Sequence, residues 1–320
     1  MVVIITKKAY QTIVAACVRF ANQKIPREQW LEASGILIGK NVGKKKKQDV
    51  YVSEAYPIMH ETYDPNAIID KYVWSDEDYM HIELINDMAF SRGEFVVGWW
   101  HSHPGFKVML SGFGDRRTTV SYQSMNPLAI ALVFNPERLL KQIELPDRKG
   151  DPIKQLKNDP GFKIFRLEDP NDEKSNFYEV EYKIEGFESP EQMIREMHKF
   201  IIDITNFFPR DNIEEFYKKF VDEKITQLNS LLMGTEEYLK TLVRQGEKHR
   251  VPEVFENQEK EIRKFVAETF IKIENIKEFM DYLEYKERDI VIPKVKEILS
   301  QWDETILRLE NKMKELKKIF

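Results

Sequence analysis

The pattern of apolar and polar residues divides the chain into two parts with different predicted structures. Up to about residue 188, short apolar runs bounded by Gly, Pro or Asp predict strands, and apolar residues three or four apart predict helices between them. This alternation predicts an α/β domain. The predicted strands are residues 2–5, 35–39, 50–56, 95–103, 128–134, 162–167 and 177–184.

Capping residues locate the predicted helices of this first part. Thr6 precedes a helix over about 7–23, and Ser75 opens a helix that runs to about Arg92. A shorter helix is predicted over 118–123. These three helices fall between the strands, as a sheet covered by helices requires.

From residue 189 to 320 the pattern becomes wholly helical. Ser189 followed by Pro190 is a strong helix start, and Pro252 and Pro293 indicate two later starts. The last helix carries a heptad seam that must be covered. Either the long helices cover one another as an intramolecular bundle, or at least one seam binds partner subunits. The seam residues are Trp302, Ile306, Leu309, Met313, Leu316 and Phe320.

The most informative stretch is residues 95–115, FVVGWWHSHPGFKVMLSGFGD, in which an apolar strand ends on two histidines. Because side chains alternate between faces along a strand, His101 and His103 project to the same side. Two imidazoles and one carboxylate can make a zinc site with an open fourth position, and Asp115 is the nearest downstream carboxylate. The residues alone also allow two hydrogen-bonded core histidines, with Asp115 as a helix cap.

The string HSHPGF, followed by LSG and an aspartate, resembles the motif of the JAMM (MPN-plus) metalloisopeptidase family. That motif joins two histidines, a serine and an aspartate to an upstream glutamate. Glu32, within EASGILIG, matches the glutamate. The resemblance covers residues 1–188 and implies an MPN (JAMM) domain there, with a mixed β-sheet flanked by helices. Residues 189–320 would be a helical assembly region.

The resemblance also implies a role for each matching residue. His101, His103 and Asp115 would bind Zn²⁺, which lowers the pKa of a bound water to about 7. Glu32 would be the general base that takes the water proton and delivers it to the leaving amine. Ser111 would donate a hydrogen bond to the attacked carbonyl oxygen.

One spacing differs from the family motif. The family places two residues between its serine and aspartate, whereas three separate Ser111 from Asp115. Since glycine reaches backbone conformations closed to other residues, we predict a bulge at Gly112–Gly114 that returns Asp115 to the metal. The alternative is a non-catalytic MPN scaffold, which keeps the fold and lacks the activity.

Substrates and partners follow from the same resemblance. The substrates would be conjugates of ubiquitin or a ubiquitin-like protein, and the partners helical subunits or another MPN domain. Residues 59–74 and 136–161 resemble in position the two insertions of the family, the first of which contacts substrate. A JAMM hydrolase for small amides would lack both insertions and the helical tail.

Composition narrows the expected partners and location. The net charge of -5 gives no reason to expect nucleic-acid binding. The single cysteine, Cys17, can form no intramolecular disulfide, which fits a reducing compartment, and its apolar surroundings favour a buried small hydrophobe. No apolar run approaches the roughly 20 residues that span a bilayer. We therefore expect a cytoplasmic protein with no nucleic-acid or membrane partner.

Overall fold

The structure is a computed structural model that describes residues 1–44, 47–61, 74–144 and 156–319. Much of the two predicted insertions, at 62–73 and 145–155, lies outside the described residues, as does Phe320 of the heptad. The insertions therefore remain predictions.

The first part of the chain contains thirteen described strands and α-helices, in the alternating order that the pattern predicts. They are β1 (Val3–Thr6), α1 (Lys7–Phe20), β2 (Ala33–Lys44), β3 (Lys47–His60), α2 (Asp76–Phe90), β4 (Phe95–Ser102), α3 (Phe113–Met125), β5 (Ile130–Phe134), β6 (Gln142–Glu144), β7 (Leu156–Asn158), β8 (Phe162–Leu167), β9 (Phe177–Glu179) and β10 (Tyr182–Glu185). Long helices follow: α4 (Pro190–Phe207), α5 (Ile213–Arg244), α6 (Val251–Phe279) and α7 (Tyr285–Ile319). The expected fold class is confirmed.

Eight strands form one mixed sheet in the order β10-β1-β3-β2-β4-β5-β8-β9. β2 pairs antiparallel with β3 and β4, whereas β5 lies parallel to β4. β9 and β10 occupy opposite ends of this order although only residues 180–181 separate them in the chain, so the sheet is curled. The predicted single strand over 177–184 is thus wrong: it is two short strands, because the chain leaves one edge and joins the other.

Local capping signals position the helices. Thr6 accepts a hydrogen bond from the Ala9 N–H at 3.1 Å, and Ser75 forms a reciprocal capping box with Asp78. At the start of α4, Ser189 Oγ accepts a hydrogen bond from the Gln192 N–H. Two helix predictions need correction. α1 ends at Phe20, before 23, and α3 is longer than 118–123 because it begins ahead of Asp115.

The two faces of the sheet carry different helices. Trp99 of β4 packs in an apolar core with Ile85 of α2 and Tyr122 of α3. Three residues after Trp99, the Ser102 side chain points to the opposite face of the sheet, toward Cys17 of α1. Cys17 is fully buried, and burial raises the pKa of its thiol well above the usual value. The thiol is therefore an inert core group, consistent with the interpretation from the sequence.

The described contacts group into two compact units. One comprises Met1–Phe208 with Asp281–Lys286, and the other Pro209–Met280 with Glu287–Phe320. α4 belongs to the first unit and packs on α1. The domain boundary at residue 188 remains a proposal. Limited proteolysis checks it, because exposed connections between domains are cut first.

Within the second unit, α5, α6 and α7 bury their apolar faces. The Trp302 ring lies 6.5 Å from that of Phe265 on α6, and Leu309, Met313 and Leu316 are also buried. This burial is what the intramolecular alternative for the heptad seam requires. Pro293 is not a helix start but lies inside α7. Proline has no backbone N–H to donate to the carbonyl of Asp289, four residues earlier. Asp289 is exposed, so water can hydrogen-bond to that carbonyl instead.

Among the described residues, the structure contains no helix that is both long enough and apolar enough to cross a bilayer.

Candidate metal centre

Three side chains converge where β4 ends. His101 is the penultimate residue of β4, His103 follows the strand, and Asp115 lies in the first turn of α3. All three are buried. The Nε2 atoms of the two histidines are 2.9 Å apart, and the Asp115 Oδ2 atom lies 3.3 Å from His101 Nε2 and 3.5 Å from His103 Nε2. The three atoms therefore surround one point.

These separations can be compared with those that a metal imposes. Zinc binds imidazole nitrogen and carboxylate oxygen at about 2.0–2.1 Å in a tetrahedron, so two of its ligand atoms lie about 3.3 Å apart. The observed 2.9, 3.3 and 3.5 Å bracket that value. Two neutral imidazoles and a carboxylate are also the chemistry of catalytic zinc sites. The residues present thus fit a zinc ion with one open position.

Contacts behind the three side chains fix their orientation. His103 Nδ1–H donates to the Lys107 carbonyl at 2.9 Å, which leaves the Nε2 lone pair facing the centre. The His101 ring stacks on Trp99, with ring centroids 4.5 Å apart and planes 6° apart. Trp99 Nε1–H donates to Thr119 Oγ1, and that hydroxyl donates to the Asp115 carbonyl.

Trp99 and Thr119 therefore join the strand that carries the histidines to the helix that carries the aspartate. Reasoning from the sequence missed both residues. A signal was present, since Trp99 lies two residues before His101 on the same strand face and Thr119 lies four residues after Asp115 on a helix.

The extra residue before Asp115 is accommodated at the start of a helix. Gly112 caps α3 with φ 0° and ψ −149°, and α3 begins at Phe113, so Gly114 is already helical. Asp115 Oδ2 accepts a hydrogen bond of 2.6 Å from the Ser111 N–H across this turn. The predicted bulge thus takes the form of a helix start, and the carboxylate still reaches the histidines.

Glu32 precedes β2 on the side of the histidines. Ser34 pairs with His101 in the β2–β4 ladder, so the same register places Glu32 opposite His103. Residues directly opposite each other project to the same face. The charge of Glu32 contributes to raising the pKa of His103, in agreement with this placement. The Ser111 side chain is exposed beside the centre.

The centre is electrostatically polarised. Burial lowers the pKa of His101 and outweighs the opposing effect of Asp115. Burial also opposes the charge on His103, but Asp115, the Lys107 carbonyl and Glu32 together raise the pKa of that imidazole. Although burial alone would raise the pKa of Asp115, the two histidines hold it well below its usual range. The carboxylate is thus ionised at neutral pH.

We expect zinc affinity to fall as the pH is lowered through the raised pKa of His103. A proton and a metal compete for the same Nε2 lone pair, so more protonation means weaker binding. Asp115 remains ionised in this range and adds no dependence. Chelator competition at about pH 8 and about pH 6, on either side of the ordinary histidine pKa, measures the effect. Equal affinity at both pH values would contradict it.

Residues 2–128 match the family model described as "JAB1/Mov34/MPN/PAD-1 ubiquitin protease", and this range contains all five candidate residues. The COP9 signalosome complex subunit 5 of Debaryomyces hansenii is 30% identical over 132 residues, which are 41% of this chain and 26% of the relative. The 26S proteasome non-ATPase regulatory subunit 14 of Dictyostelium discoideum is 28% identical over 170 residues, 47% of this chain and 50% of the relative.

A third relative is the ubiquitin carboxyl-terminal hydrolase RPN11 of Saccharomyces cerevisiae, 44% identical over 50 residues, which are 16% of each chain. The chain spans at most half the length of these three relatives. The family match locates the similarity in the N-terminal region, which contains the buried His-His-Asp group. Residues 2–128 of this chain thus match the JAB/MPN family, and the chain is similar to proteasome and signalosome subunits.

Proposed function

We propose that the chain is a zinc-dependent isopeptidase that removes ubiquitin or a ubiquitin-like modifier from substrate lysines, within an assembly like the proteasome lid. The observation that carries the proposal is the convergence of His101, His103 and Asp115 at separations that suit tetrahedral zinc. The name of the yeast relative, a ubiquitin carboxyl-terminal hydrolase, supports the substrate class.

The residues of the centre divide the work of amide hydrolysis. A bound zinc ion would supply a water of lowered pKa and polarise the carbonyl. Glu32 takes a proton from the attacking water at its carboxylate and returns it to the leaving lysine amine. Ser111 donates a hydrogen bond to the carbonyl oxygen as that oxygen becomes negative, a contact typically worth roughly 2.7–4 kcal/mol in the transition state. Trp99 and Lys107 hold the two imidazoles in place.

One purified sample tests the proposal. We expect about one zinc per chain and cleavage of a fusion to the C-terminus of ubiquitin or a ubiquitin-like protein. Both should be lost in the double variant His101→Ala, His103→Ala. Stoichiometric zinc that survives in the double variant would show that the metal is bound elsewhere.

The non-catalytic scaffold remains the alternative, and the extra residue before Asp115 favours it. The two functions differ in a single measurement. A scaffold would keep the fold and show no cleavage even when loaded with zinc, whereas the isopeptidase cleaves. The carboxylate position described above supports the isopeptidase.

A partner surface is suggested by α2. One face of this helix carries three exposed apolar residues, each one helical turn from the next: Met80 (59% exposed), Leu84 (53%) and Met88 (46%). Single exposed apolar residues are common on protein surfaces, whereas a contiguous row is typical of an interaction site. The relatives from D. hansenii and D. discoideum are named as subunits of multi-subunit complexes. We include in the proposal that this row pairs with another MPN domain, and that the helical region binds helical subunits.

We expect Leu84→Asp to abolish association through α2, because it places a charge in the centre of an apolar contact. Sedimentation of the purified protein over a range of concentrations measures pairing between copies. Ile202→Asp is the control, since Ile202 is equally exposed but lies on α4. Association that survives Leu84→Asp places the partner surface elsewhere.

A further inference from the structure

Between α6 and α7 the chain returns to the first compact unit for six residues, Asp281–Lys286, here called the return segment. Its central residues are among the most buried polar and apolar groups of that unit: Tyr282 is 4%, Leu283 0% and Glu284 1% exposed. A turn between two helices normally lies on the surface and tolerates change. This one is held within the fold.

The return segment contacts three different elements of the first unit. The Tyr282 ring meets Phe200 of α4 edge to face, with centroids 5.6 Å apart. The Tyr285 ring lies 5.1 Å from His81 of α2. Between them, His60 Nδ1–H at the end of β3 donates to Glu284 Oε1 at 2.6 Å. The segment is therefore a fixed part of the unit that contains the candidate metal centre.

The bond between Glu284 and His60 is a short polar contact at the middle of the segment, and Lys286 Nζ lies 3.7 Å from the other carboxylate oxygen of Glu284. The Glu284 side chain is only 2% exposed, and burying a carboxylate is costly unless it is paired. His60 is held from its other side, because its ring stacks on Phe20 at 4.2 Å and 15°. Its position is thus fixed between α1 and the return segment.

The end of β3 in turn holds Glu32. His60 pairs with Ala33, the residue after Glu32, and the Glu61 N–H donates to the Glu32 carbonyl at 2.7 Å. A continuous set of contacts therefore runs from Glu284 through His60 and Glu61 to the backbone of the candidate base. No local sequence pattern links His60 to Glu284, because the two residues lie 224 positions apart in the chain.

We propose that Glu284 is a positioning residue, which acts through His60 to hold the end of β3 and thereby the Glu32 carboxylate toward the metal centre. The catalytic consequence rests on the proposed function, whereas the positioning of Glu32 does not. A determinant of the catalytic geometry then lies in the helical half of the sequence, in the turn that joins two of its long helices.

Glu284→Ala removes the bond and should lower kcat by roughly 10- to 100-fold with KM and zinc content nearly unchanged, the effect expected from a base displaced by about 1 Å. Glu284→Gln should restore most of kcat, since its amide oxygen can still accept from His60 Nδ1–H. Glu274→Ala is the control. Glu274 makes an exposed ion pair with Lys277 on α6, and its loss should change neither parameter.

Hydrogen exchange of the full-length protein decides the positioning step without any activity. In Glu284→Ala the Glu61 amide should exchange faster, while amides of β5 keep their wild-type rates; in Glu284→Gln the Glu61 amide should be protected again. If Glu284→Ala is too unstable to purify, Glu284→Met keeps the side-chain volume without the bond and is expected to behave in the same way. An unchanged Glu61 exchange rate, or faster exchange throughout the unit, overturns the proposal. A wild-type protein with no cleavage activity overturns the proposed function but leaves this exchange test intact.

Discussion

Glu32→Gln is expected to bind zinc normally and to lose turnover by roughly 10²- to 10⁴-fold, the usual contribution of a positioned general base. The carboxamide keeps the size and shape of the side chain but cannot take up the water proton. Extension of the β2–β4 register beyond Ser34 and His101 places Glu32 opposite His103, and Glu32 does not belong to the His101–His103–Asp115 group, so metal binding and catalysis should separate in this variant.

The measurement is zinc content together with kcat for a ubiquitin-like C-terminal fusion. Glu28→Gln is a matched control, because Glu28 is an exposed glutamate four residues earlier on a short 3₁₀ helix. Near-normal turnover in Glu32→Gln would remove this residue from the mechanism. Loss of zinc would instead make Glu32 a ligand and require a different base.

Asp115→Ala is expected to weaken zinc binding by more than about 100-fold, because even residues behind the ligands typically account for 10- to 100-fold in metal affinity. The Asp115 carboxylate is the only anionic member of the described group, so its loss also removes the charge that offsets the metal. Without the Asp115 carboxylate, a tetrahedral zinc ion bound by the two imidazoles would have two open positions instead of one. Asp115→Ala therefore tests whether the displaced aspartate is a true ligand.

Zinc titration against a competing chelator measures this change. Asp87→Ala, which removes an exposed carboxylate on α2, controls for a general effect of net charge. If Asp115→Ala binds zinc as tightly as the wild type, the histidines hold the ion without Asp115. That result would support the non-catalytic scaffold. The extra residue between Ser111 and Asp115 would then have removed the aspartate from the ligand set.

Several features were predictable from the sequence because they depend on neighbours within one turn or one strand. Thr6, Ser75 and Ser189 marked helix starts, since a capping hydroxyl bonds an N–H three residues on. His101 and His103 were expected on one face because strand side chains alternate, and the structure brings their Nε2 atoms to 2.9 Å.

Other features depended on contacts between distant parts of the chain. No local pattern indicated that residues 177–184 would split between the two edges of a curled sheet, or that Pro293 would lie within a helix. The sequence also left undecided whether the Asp115 carboxylate contacts the histidines. One additional residue shifts an extended chain by up to about 3.6 Å, and only the start of α3 at Phe113 returns the carboxylate to the histidines.

The resemblance of the N-terminal part to the MPN family, the helical character of the rest and the identity of the candidate ligands could all be predicted from the sequence. Only the folded structure shows how Asp115 approaches the histidines, which residues orient the imidazoles and that Glu284 pairs with His60. The physical reason is the range of the interactions. Capping and periodicity act over a few residues and leave a local pattern in the sequence. Glu284 and His60 are 224 residues apart, so folding brings them into contact without any local pattern that marks either residue.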